Sequence, residues 1–184
     1  MGSRLPYLAL LVAAVAALVA SVAVAATHPR GGAHRIGGML GTIGGSSCTA
    51  APLAASVVHA RLTGMDGGMM GGGMLRLTLD RRVVRAGAVS LVAENLGRDV
   101  HELVVLPLAA GQSAGERPVG GDDRVSEASS VGEASRSCGE GVGDGIGPGT
   151  VGWVTVDLKP GRYELVCNVV GHYRAGMFAE LDVE

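Results

Sequence analysis

Seven short segments in the last two-thirds of the chain alternate apolar with polar residues, or run apolar for a few positions, and each stops at turn chemistry. They are Ser56–Thr63, Met74–Asp80, Ala88–Glu94, Val100–Leu108, Gly152–Leu158, Arg162–Cys167 and Met177–Val183. A period of two places alternate side chains on opposite faces of a strand, and no amphipathic helix satisfies that pattern. Turns such as Ala86-Gly87 and Lys159-Pro160-Gly161 separate the segments, and Pro107 closes the fourth. Strands of this number and spacing predict an all-β chain, a two-sheet β-sandwich with Greek-key links. The 31 glycines in 184 residues favour short strands joined by turns over a helical bundle. The length suits one domain plus extensions.

The extensions are legible at the N-terminus. Residues 5–26 carry no charge, and residues 8–26 alone make roughly 28 Å of helix. That is close to a bilayer span, yet Arg4 and the small-x-small triplet Ala23-Val24-Ala25 also fit a cleavable secretory signal. The expectation is an N-terminal apolar helix at 1–26, signal peptide or membrane anchor, that exports the rest. Residues 27–47 have glycine pairs and no periodicity, and predict a flexible linker in which His28 and His34 are solvated. The folded domain is expected over 48–184, interrupted by an insertion at 109–150. That insertion holds seven acidic and three basic residues and little apolar bulk. It reads as a solvated excursion or as a lid or docking loop, with 127–136 a weak helix candidate because of Gly132.

Composition excludes several functions. The net charge of −2 leaves no basic footprint for nucleic acid, and five aromatic residues make a poor stacking platform. No Ser/His/Asp pattern, phosphate loop or HExxH is present, so no enzyme is expected.

One stretch does carry chemistry. Cys167-Asn168-Val169-Val170-Gly171-His172-Tyr173-Arg174-Ala175-Gly176-Met177 reads C-x4-H-x4-M across the loop between the last two predicted strands. With three cysteines, five histidines and seven methionines, a chance match has a frequency of about 0.003. A thiolate, an imidazole and a thioether are soft donors that select copper over magnesium, calcium or manganese, and two histidines with one cysteine and a weak axial methionine make an electron-transfer site. The second histidine is expected to be His101, at the start of a predicted strand; His59 reads as an ordinary strand residue. Zinc is the rival ion, but a thioether is a poor zinc ligand.

These residues resemble those of the cupredoxins, in particular the rusticyanin and sulfocyanin-like kind, whose ligand loop has the same two four-residue spacings. The resemblance covers about Cys48 to Glu184, and the stretch His101-Glu102-Leu103-Val104-Val105 also resembles the strand bearing the first ligand. It implies a cupredoxin-like barrel that binds one type 1 copper ion through His101, Cys167, His172 and Met177. It implies one-electron transfer between extracytoplasmic redox proteins of a respiratory or copper-handling chain by a monomer, with the His172 ring edge near the surface as the exit. Two positions depart from the family: Glu102 stands where Asn or Ser often braces the cysteine loop, and Val170 where proline often precedes Gly-His.

With Cys167 kept as a thiolate, Cys48 and Cys138 are predicted to pair, as an exported protein allows. The stretch 65–74 holds four methionines, and reads as apolar cover or as a Cu(I)-capturing loop. It supports an alternative function, copper binding and delivery without redox turnover.

Overall fold

The computed structural model describes residue 48, residues 53–54, residues 56–64 and residues 75–184. The apolar run 5–26, the linker with His28 and His34, and the methionine-rich stretch 65–74 lie outside these residues. No helix among the described residues is long and apolar enough to cross a membrane.

Among the described residues, ten strands build two sheets. They are β1 (Ser56–Thr63), β2 (Arg76–Leu79), β3 (Val83–Val84), β4 (Gly87–Asn95), β5 (Leu103–Pro107), β6 (Gly132–Ala134), β7 (Gly139–Glu140), β8 (Val151–Leu158), β9 (Gly161–Val166) and β10 (Phe178–Val183). One sheet has the order β2-β1-β4-β8-β7 and the other β3-β10-β9-β5-β6. This is the expected two-sheet sandwich. β1 and β4 run parallel, as do the short pairs β3–β10 and β7–β8; the remaining pairs are antiparallel.

The period of two decides what faces the core. Val58, Ala60 and Leu62 of β1, Val89, Leu91 and Ala93 of β4, and Val154, Val156 and Leu158 of β8 meet Leu103 and Val105 of β5 and Leu165 of β9 between the sheets. Their partners on the outer face of the first sheet include His59 and Arg61, both exposed. His59 is therefore an ordinary strand residue on the outside.

Two readings of the insertion need correction. It is not a solvated excursion. β6 pairs with β5 in one sheet and β7 with β8 in the other, so the two short strands tie it to both. Val125 and Ile146 are buried. Residues 127–136 form no helix; Gly132 instead lets β6 lie against the other sheet, where a Cβ would come within 2.3 Å of Val156 Cγ1. The fourth predicted strand begins later than expected. β5 starts at Leu103, and His101 makes only an isolated bridge with Ile146.

Candidate metal centre

Three strand ends bring the candidate ligands together. On β9, Tyr163 and Leu165 point inward, and the same phase carries Cys167 inward one step past the strand. On β10, Ala179, Leu181 and Val183 point inward, which puts Met177 in the same phase. On β5, Leu103 and Val105 point inward and His101 lies two residues earlier. β9 sits between β5 and β10. The β9–β10 ladder continues past its last strand pair, because Cys167 N–H donates to Met177 O at 3.0 Å. His101, Cys167 and Met177 therefore share one end of the core, and all three are fully buried.

His172 arrives from the loop. His172 N–H donates to Val169 O at 3.0 Å, Ala175 N–H to Gly171 O at 3.1 Å, and Met177 N–H to His172 O at 3.1 Å. Gly171, at φ +81°, and Gly176, at φ +93°, take the left-handed conformations this winding needs. The turn rolls the imidazole inward. His172 is 0% exposed, whereas the resemblance implied a ring edge near the surface; Val170, at 53%, is an exposed apolar residue of the loop, and Arg174, Ala175 and Gly176 are exposed beside it.

The donor atoms of His101, Cys167 and His172 lie within 4.8 Å of one another. His101 Nδ1 and His172 Nδ1 are 3.2 Å apart, and Cys167 Sγ is 3.7 Å from the first and 3.3 Å from the second. The centre of a triangle with these sides is about 2.0 Å from each corner, the length of a metal–imidazole bond and slightly less than that of a metal–thiolate bond. The residues present therefore fit a metal ion. Thiolate and imidazole suit copper and zinc alike; the thioether of Met177, fully buried at the same end of the core, suits copper and is a poor zinc ligand.

Glu102 N–H points at Cys167 Sγ, 3.4 Å away, and favours negative charge on the sulfur. Burial, with Glu133 and Glu127 nearby, pushes the Glu102 carboxyl up to about 7, against the pull of Arg124. Burial raises the Tyr173 hydroxyl to about 12; it donates to Glu164 Oε1 at 2.9 Å and accepts from Arg117 N–H at 3.0 Å. Glu164 is fully buried and pairs with Arg117 Nε at 2.5 Å.

Sequence reasoning missed these supporting polar residues. Asn95 is one: it is fully buried, its Nδ2 donates to Ile146 O and Asp99 O, both at 2.7 Å, and it fixes the turn that leads to His101. The predicted Cys48–Cys138 disulfide is present, with a Cα–Cα distance of 5.3 Å.

No family model matches the chain, and no curated protein matches its sequence. Among solved structures it is similar to dithionite-reduced auracyanin from the photosynthetic bacterium Roseiflexus castenholzii, at 16% identity over 72% of this chain and 99% of that one, with a TM-score of 0.42. It is also similar to rusticyanin from Thiobacillus ferrooxidans, at 16% identity over 71% of this chain and 79% of that one, with a TM-score of 0.45. A third is auracyanin B, at 18% identity over 76% of this chain and 96% of that one, with a TM-score of 0.44.

Proposed function

We propose that this chain is a cupredoxin holding one type 1 copper ion, and that it carries single electrons between redox proteins outside the cytoplasm. The observation that carries this reading is the meeting of His101 Nδ1, His172 Nδ1 and Cys167 Sγ in the buried end of the core. Copper, when bound, supplies a one-electron couple between its two common oxidation states. Everything else falls to the chain. His101, Cys167 and His172 would bind the ion, with Met177 as the weak fourth donor that this donor set calls for. Strand ends and a hydrogen-bonded loop hold these donors, so little need move when the charge at the site changes. Burial keeps water from the sulfur, and the Glu102 N–H offsets part of its negative charge.

The Cys48–Cys138 bridge supports an oxidising compartment, because such bonds persist in exported proteins. The apolar residues 5–26 would deliver the domain there and, if retained, tether it to the membrane.

The test is a visible spectrum of the purified domain with Cu(II), wild type against Cys167→Ser. The expected result is an intense thiolate-to-copper band in the wild type that the variant lacks. A colourless wild type that still takes up copper would overturn the reading and favour delivery.

A further inference from the structure

The two faces of β9 end differently. The inward row, Tyr163 and Leu165, leads to Cys167. The outward row is Glu164, Val166 and Asn168, and it is where the 109–150 segment docks. Glu164 takes Arg117 and the Gly115 N–H, and Val166 packs with Val125. Asn168 is 2% exposed and spends its whole amide there. Its Oδ1 accepts from Val125 N–H at 2.8 Å, and its Nδ2 donates to Val125 O at 2.9 Å and to Glu127 Oε1 at 2.5 Å. One side chain thus completes both backbone groups of a residue 43 positions away.

Val125 is itself fixed, since its side chain is buried among Val104, Leu106, Val166 and Tyr173 on the outer face of the sheet. Farther along the loop, Gly171 N–H donates to Asp123 O at 3.1 Å, and Arg174 pairs with Asp123.

We infer that Asn168 is a positioning residue for the Cys167 sulfur, held through Val125 and Glu127 of the long 109–150 segment. The inference rests on the reading of Cys167 as a metal ligand. Cys167 and Asn168 share a peptide unit, so fixing the outward side chain fixes the inward one. Swinging Cys167 out of place would strip partners from a buried amide and from two backbone groups at once, and buried polar groups resist that. Glu102 meets the loop as well. Its backbone N–H points at the Cys167 sulfur, and its carboxyl accepts from the Asn168 backbone N–H, so the Asn168 side chain adds its hold from the 109–150 segment to one already made by the residue after the upstream histidine.

The test uses metal-free protein with its disulfide intact. Alkylation of Cys167 by iodoacetamide is followed by intact mass in wild type, Asn168→Ala, Glu127→Ala and Ser90→Ala. Ser90 is an equally buried polar residue bonded to Thr155 and Ala54 in the other sheet, and serves as the control. A buried thiol reacts through opening, so its rate follows the population of opened states. The expected result is alkylation at least tenfold faster in Asn168→Ala than its loss of global stability explains, with a smaller rise in Glu127→Ala and none beyond global stability in Ser90→Ala. Rates that track urea stability alone in all three variants would overturn the inference. If Asn168→Ala does not fold, Glu127→Ala decides.

In the copper-loaded protein, the thiolate-to-copper band and the reduction potential should shift in Asn168→Ala and stay in Ser90→Ala. An unshifted band and potential would count against the inference. A wild type with no band would remove the copper reading and leave the alkylation rates to decide the positioning role.

Discussion

Gly97 has no room for a methyl group. A Cβ there would sit 2.5 Å from Gly64 O and 2.8 Å from His101 Nε2. The same residue donates its N–H to Asn95 Oδ1 at 2.8 Å, inside the turn that ends at the His101–Ile146 bridge. Gly97→Ala should cost about 1–3 kcal/mol of stability, the usual penalty of overpacking, and should weaken Cu(II) binding by moving the His101 ring. Urea denaturation and a copper titration check both, against Gly121→Ala, whose Cβ meets nothing within 4 Å. A Gly97→Ala protein that binds copper as the wild type does would show that the ring has slack.

Glu164 gives a second test at this scale. Its side chain is fully buried and that of Arg117 is 12% exposed. Arg117→Ala leaves the carboxylate without its ion pair and should cost about 3–5 kcal/mol, whereas Arg117→Met with Glu164→Leu should recover most of that loss. Urea midpoints of the single and double variants measure the difference. A single variant as stable as the double would mean that Tyr173 and the Gly115 N–H suffice for Glu164.

Among elements, the β1–β2 pair shows how a charge closes a ladder. Asp80 N–H donates to His59 O at 3.0 Å, and Asp80 Oδ1 accepts from His59 N–H at 2.8 Å, one step beyond the strand pairing. Burial alone would raise the Asp80 carboxyl, but the His59 N–H and Arg81 outweigh it and hold the group below its ordinary value. A lowered carboxyl contributes stability above its unfolded pKa and loses it as pH falls through the folded one. Acidification below about pH 4 should therefore destabilise the wild type more than Asp80→Asn, read as the difference in urea midpoint between pH 6 and pH 3. Equal losses would assign the acid sensitivity to other carboxylates.

The legibility of these elements in the sequence follows their length. β1 is predicted to the residue, because eight positions show alternation and turn residues bound it. β3, β6 and β7 have two or three residues each, too few for a period to appear. The insertion looked solvated because Val125 and Ile146 are isolated apolar residues in a polar stretch, and their burial depends on sheets made elsewhere. Cys167 and His172 were legible through their spacing, and His101 through its place at the start of a predicted strand, although it stands two residues ahead of β5. Asn95, Asn168 and the Arg117–Glu164 pair carry no local signal. A polar residue reveals its partner only when the chain has folded around it.

At the scale of the whole molecule, the disulfide is the one covalent link between the start of the folded region and the insertion. Cys48 and Cys138 are 90 residues apart. Cys138 sits just before β7, its N–H donates to Val151 O at 2.7 Å, and Cys48 packs beside Val92, Val151 and Trp153 on the outer face of the first sheet. Closing a loop of that length restricts the unfolded chain and should stabilise the fold by about 4–5 kcal/mol on the chain-entropy account. The bridge lies on the opposite sheet from β9, so its removal should act on global stability and not on the donors. Cys48→Ser with Cys138→Ser should therefore lower the urea midpoint sharply while leaving the thiolate-to-copper band of the folded fraction in place. A loss below about 1 kcal/mol would mean that the reduced chain keeps the 48–138 loop nearly closed when unfolded. A shifted band would mean that the bridge also holds the ligand end of the sandwich, through β7 and the Ile146–His101 bridge.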